Sequence, residues 1–147
     1  MSDRFDPRAR RQARRALVQA LYQWQLAGAE VASIEAEFRA GESLKRADDV
    51  FFSQVLRGVI TQTERLDGKF SDLLDRKLED LDQVELALLR LGTYELTERI
   101  EVPFKVVISE YVGLAKTFGA EASHGYINGV LDKVARVERA LEVAADA

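Results

Sequence analysis

Residues 84–96 constrain this fold more than any other stretch. Val84, Leu86, Ala87, Leu88, Leu89, Leu91, Tyr94 and Leu96 cover most of a helical circumference at 100° per residue, so this helix must run through the middle of the molecule. Asp82 is its predicted cap, with Glu85 at the third position completing a capping-box-like pair. Gly92 admits a close neighbour at about 1 kcal/mol of helix propensity.

The flanking sequence supplies the helices that would surround it. A short helix over 33–40, capped by Ser33, places Ile34 and Phe38 on one edge, and 41–47 reads as a polar loop. Asp48 caps a long helix whose Phe52, Val55, Leu56, Val59, Ile60 and Leu66 repeat every three to four residues. The period continues to Phe70, Leu73 and Leu74, with Gly68 either tolerated inside the helix or breaking it, and 76–81 as a junction. Pro103 opens a helix bearing Val106, Val107, Tyr111, Leu114 and Ala115, closed by Phe118-Gly119. Ser123 caps a last helix with Ile127, Val130, Leu131, Val134 and Val137. Within it Asn128 and Gly129 read as structural, and Gly125 and Gly129 as a place of close helix approach. The end from residue 138 is expected to fray. No strand pattern, internal repeat or linker appears, so the expectation is one all-α domain over 1–147.

Chemistry of the catalytic kind finds little to stand on. The chain has no cysteine, which removes disulfides, thiolate metal sites and a cysteine nucleophile. His124 is the sole histidine. Glu121-x-x-His124 has the spacing of one half of a di-iron bundle site, but no second such motif exists. No glycine-rich phosphate loop is present. The reading is not an enzyme, with no catalytic residues, metal or cofactor. Glu95 and Glu98, like Glu79, Asp80 and Asp82, are expected on solvated faces, Tyr94 and Tyr111 in the core, and His124 at the surface or an interface. No run approaches the ~20 apolar residues of a membrane span; a cytoplasmic protein with no membrane partner is expected.

The first helix, read over 6–27 between an Asp6 cap and a Gly28 stop, is where binding would lie. Ala9, Ala13, Ala16, Leu17, Ala20, Leu21 and Trp24 form an apolar face, and Arg8, Arg11, Arg15, Val18, Gln19, Tyr22 and Leu26 the opposite one. Residues 1–15 hold six arginines and two aspartates, a net of +4 in a chain of net −4, leaving −8 for the remainder. Arginines beside an exposed aromatic suit a ligand with phosphates and stackable bases. Periodicity alone leaves equally open a basic helix snorkelling over an acidic body.

Two stretches resemble the bacterial transcription antitermination factor NusB family. One is Arg10-Arg11, Arg14, Ala16 and Gln19-Ala20-Leu21-Tyr22-Gln23-Trp24. The other is Val102-Pro103-Phe104-Lys105-Val106-Val107-Ile108, Glu110 and Leu114-Ala115-Lys116-Thr117-Phe118-Gly119, running into Ser123 and Tyr126-Ile127-Asn128-Gly129-Val130-Leu131-Asp132-Lys133. Val84-Glu85 and Leu88-Leu89-Arg90 lie between. The resemblance implies an all-α fold of about seven helices in two small bundles. It also implies binding of the boxA element of nascent ribosomal RNA transcripts with the ribosomal protein NusE, in an antitermination complex on RNA polymerase. Carried over, the RNA surface uses Arg10, Arg11, Arg14 and Tyr22, with Glu85, Phe118 and the segment 121–126, including Tyr126, beside them. Arg15, favoured by helical geometry, completes the candidate set. The alternative is a homodimeric helical module that buries the arginine face by self-association.

Overall fold

The α5 helix, Gln83–Glu98, is buried on almost every side, from Glu85 to Leu96 with Arg90 as the one half-buried interruption. Asp82 accepts the Glu85 amide at 2.8 Å and fixes its start. Around it, in the computed structural model, which describes residues 6–146, stand α1 (Pro7–Ala27), α2 (Val31–Ala40), α3 (Asp49–Thr61), α4 (Thr63–Phe70), α6 (Phe104–Phe118), α7 (Ser123–Glu138) and α8 (Ala140–Asp146). Two 3₁₀ turns, Ser71–Leu73 and Leu78–Asp80, bridge α4 to α5. Arg4, counted in the basic end, lies outside the described residues.

The architecture is all-α, as expected, with no strand among the described residues. Helices α1 to α3 pack together on one side of α5, and α4, α6 and α7 on the other. The two groups share α5, and their buried apolar side chains form one contiguous cluster. The description as two bundles is therefore approximate. At Gly92 an added Cβ would lie 2.8 Å from Leu131 Cδ1, so the close approach is that of α7.

Among the described residues there are eight helices, close to the about seven that the resemblance implies; the long third helix divides into α3 and α4, and the short α8 follows α7. Gln62 leaves helical geometry (φ −109°, ψ 23°). The Thr63 hydroxyl donates to the Val59 and Ile60 carbonyls at 2.9 and 3.0 Å, a local alternative to the helical ladder. Gly68 is tolerated inside α4 and does not break it.

Other local expectations are also corrected. Ser33 is not a cap, since α2 begins after Glu30. Ser123 is the first helical residue of α7, and the cap position belongs to Ala122. Asn128 is exposed with no side-chain partner among the described residues, and a Cβ at Gly125 or Gly129 would meet nothing within 4 Å. No helix approaches there. The end from residue 138 is fastened by Arg139, whose buried guanidinium donates to the carbonyls of Leu96 (2.7 Å), Glu95 (3.3 Å), Arg99 (3.1 Å) and Val102 (2.9 Å). No described helix is long and apolar enough to cross a membrane.

Candidate nucleic-acid interface

Helix α1 starts and stops as its sequence dictates. Asp6 accepts from the Arg8 and Ala9 amides at 3.0 and 3.4 Å. Gly28 closes the helix at φ 67°, a conformation that costs an L side chain about 1–2 kcal/mol. Between these ends its arginines diverge.

Arg14 belongs to the interior. Its Nε and Nη2 donate to the two Glu95 oxygens at 2.8 and 2.9 Å, with the side chains 3% and 0% exposed. The Tyr111 hydroxyl donates to the same carboxylate. Burial works against the Arg14 charge, but Glu95 outweighs it and the guanidinium pKa is raised. Burial and the Glu95 charge together push the Tyr111 hydroxyl far above its ordinary value. Glu95 thus overturns the expectation of a solvated face.

Arg10 is half-buried. Its Nε donates to Asp48 at 3.2 Å, and its guanidinium lies 4.2 Å from the Phe51 ring centroid. Asp48 in turn donates its amide to the Ala9 carbonyl at 2.9 Å and caps α3 through the Phe51 amide at 3.0 Å. Arg10 therefore ties α1 to α3.

Arg11 and Arg15 face outward. Arg11 is paired to Glu110 of α6, its Nη2 donating at 2.9 Å. Arg15 is exposed, has no carboxylate partner among the described residues, and holds its guanidinium 5.2 Å from the Phe118 ring centroid. Phe118 lines an open apolar groove of ≈ 500 Å³ with Tyr22, Val18, Leu26 and Val84. Arg15, Phe118 and Tyr22 are thus brought onto one continuous surface between α1 and the end of α6.

Glu85 and Tyr126 lie beyond Val84. The Glu85 carboxylate is buried and accepts from the Ser123 hydroxyl at 2.9 Å, holding the start of α7 against α5. Tyr126 is half-buried, with the Arg76 guanidinium 4.2 Å from its ring centroid. Its buried hydroxyl makes no hydrogen bond in this geometry. Burial and then the nearby Asp75 carboxylate push its pKa up.

Arg76 and Glu110 are absent from the sequence-derived set. Arg76 sits in the 74–77 junction, where no periodicity marks a face. Glu110 appears only as a letter of the resemblance, one position before a core tyrosine. The detectable signal was Glu95, a carboxylate in a helix apolar on all sides, which requires a buried cation.

Comparison with known proteins agrees with this architecture. The NusB family model matches residues 11–136. The transcription antitermination protein NusB of Alcanivorax borkumensis is 52% identical over 144 residues, covering 98% of this chain and 96% of that protein. The protein of the same name from Escherichia coli strain K12 / DH10B is 51% identical over 133 residues, covering 90% and 96%. Among solved structures, T. maritima NusB superimposes with a TM-score of 0.77 at 30% identity, over 90% of this chain and 93% of that one. The NusB of a NusB–NusE complex with dsRNA does so at 0.82 and 25% identity, over 90% and 99%. Matched along nearly its whole length in sequence and in fold, the chain belongs to the NusB family of non-enzymatic transcription antitermination proteins.

Proposed function

We propose that this chain is an RNA-binding adaptor. It takes the boxA-type single-stranded element of nascent ribosomal RNA transcripts together with ribosomal protein NusE, within an antitermination complex on RNA polymerase. The observation that carries the reading is Arg15, an exposed guanidinium without a carboxylate partner among the described residues, set over Phe118 beside Tyr22. Such a cation can pair with a phosphate while the two rings offer faces to unstacked bases.

In this reading Arg11, Arg15, Tyr22 and Phe118 contact RNA, and Tyr126 with Arg76 extends the track. Arg10 and Arg14 hold α1 in place, and Glu85 positions α7. The solved NusB–NusE relative carries dsRNA. Bases in a duplex are stacked on one another and unavailable to Tyr22 and Phe118, which favours a single strand here. The −8 outside the basic end suits a basic ribosomal protein as second partner.

A salt titration with boxA RNA, with and without NusE, tests the reading. Log affinity should fall with log salt by roughly 0.7 per phosphate contact. Arg11→Ala with Arg15→Ala should flatten that slope. Salt-independent binding, or a folded double variant that binds as before, overturns it.

Leu26, 59% exposed at the groove's edge, favours self-association as the second reading. Sedimentation across concentration, with and without RNA, separates the two: a dimer that RNA cannot dissociate would exclude the RNA face proposed here.

A further inference from the structure

Glu110 stands between two arginines that play different parts. Its oxygens accept from Arg11 Nε at 3.2 and 3.3 Å and from Nη2 at 2.9 Å. Oε1 also lies 3.9 Å from Nη1 of buried Arg14. The Arg11 side chain is 63% exposed and that of Glu110 only 14%. An outward-facing cation is therefore held from behind by a carboxylate that has a second cation in reach. Glu110 and Arg11 share a shallow depression with Arg15 and Thr117, on the same face as the Phe118 groove.

The Nε–Nη2 edge of a guanidinium presents two parallel donors and is the edge that grips a phosphate bidentately. In Arg11 that edge is occupied. A phosphate arriving there meets a carboxylate of like charge on the donors it needs.

We propose that Glu110 is a built-in competitor for the phosphate backbone of single-stranded nucleic acid at Arg11. The backbone takes the guanidinium edge by displacing Glu110, whose carboxylate falls back toward Arg14. This rests on the RNA-binding reading above. A ligand held only at Arg11 does not repay the displacement, whereas one also held at Arg15, Phe118 and Tyr22 does. Glu110 thereby sets a threshold against weakly bound strands.

The test is a double-mutant cycle on full-length protein with Glu110→Gln, Arg11→Ala and both together, against boxA RNA and a uridine homopolymer of equal length. Glu110→Gln should tighten boxA binding about two- to fivefold, the reach of an exposed ion pair. It should steepen the salt slope by up to ~0.7, and tighten the homopolymer by at least as much. The gain should vanish with Arg11→Ala. Glu110→Ala must change binding in the same direction, with thermal melting showing both variants folded. Weaker binding by Glu110→Gln would mean that Glu110 orients Arg11 for the ligand, and a gain that survives Arg11→Ala would mean a general charge effect; either overturns the proposal. If the natural chain binds with salt dependence and Glu110→Gln matches it, the competitor fails alone. If no variant binds RNA, the RNA reading fails with it.

Discussion

Arg14 and Glu95 form a closed ion pair at the centre of the protein, with two parallel hydrogen bonds of 2.8 and 2.9 Å. Glu95 is a core residue of α5, and Tyr111 of α6 donates to it as well. One carboxylate therefore joins α1, α5 and α6, and it fixes how far α1 can rotate. The arginine at one position of α1 is spent on the fold so that those at Arg11 and Arg15 are presented outward.

Breaking this pair from one side should be severe. Glu95→Ala leaves the Arg14 charge buried and uncompensated, at a cost of about 3–5 kcal/mol. Replacing both residues, as Arg14→Met with Glu95→Leu, should recover only part of that loss, because the buried Tyr111 hydroxyl is then left without its acceptor. Urea denaturation of the three proteins measures it. The double variant should also keep the natural salt slope for RNA, because Arg14 offers no exposed donor; a flatter slope would return Arg14 to the RNA surface.

The aromatic faces predict a loss of a different kind. Tyr22→Ala should weaken RNA binding by about 1–3 kcal/mol if a base stacks there, with the melting temperature nearly unchanged because the ring is only half covered. Phe118→Ala should do the same and also release Arg15 from its stacked position. A folded Tyr22→Ala protein with the natural dissociation constant refutes the stacking role.

The legible part of this protein was whatever repeats along a helix. The all-round apolar pattern of α5 announced the centre of the fold, and Asp6, Asp48 and Asp82 sit at the caps where their side chains accept first-turn amides. Interactions between distant segments were not legible. Arg10 and Arg14 differ from Arg11 and Arg15 by the partners they meet on α3, α5 and α6, and one helix's periodicity cannot name those partners. Ser123 reads as a cap from its neighbours in sequence, but a buried Glu85 thirty-eight residues away claims its hydroxyl. A polar, alanine-rich end also conceals Arg139, because its acceptors are backbone carbonyls, which leave no trace in sequence.

Arg139 is accordingly expected to matter more than its position suggests. Its guanidinium satisfies the Leu96 and Val102 carbonyls, left open where α5 ends, adds a second bond to those of Glu95 and Arg99, and donates to Glu142 at 2.6 Å. Glu142 accepts the Phe104 amide at 2.8 Å, which opens α6. Arg139→Ala should cost about 3 kcal/mol through stranded carbonyls, and Arg139→Lys should recover only part, since one ammonium cannot reach them all. Hydrogen exchange should show the loss first in residues 95–104. Uniform loss across the chain would contradict a local clamp.

Backbone strain gives a prediction of opposite sign. Ala122 precedes α7 at φ 80°, where an L side chain is disfavoured. Ala122→Gly should stabilise the protein by roughly 0.5–1 kcal/mol, the relief of strain exceeding the entropy that glycine adds to the unfolded chain. A lower melting temperature for this variant would show that the conformation carries no strain.

The carboxylates that are paired on folding set the acid limit of stability. Burial pushes the Glu35 carboxyl up, but the hydrogen bonds from Arg57 and the charges of Arg57 and Arg39 outweigh it and hold it below its ordinary 4.5. Glu142 is likewise held low, the Phe104 amide and Arg139 outweighing its burial. Below pH 4.5 the unfolded chain then binds more protons than the folded one, so stability rises with pH in that interval. The contribution is fully present above pH 4.5 and is lost as pH falls through the depressed folded values. Glu35→Gln should cost about 1 kcal/mol at neutral pH, given how exposed Arg57 is, and should flatten the acid limb of the stability profile. Urea midpoints measured from neutral pH down to about pH 3 decide the matter: a Glu35→Gln profile that runs parallel to the natural one would show that Glu35 is not among the groups that titrate on unfolding.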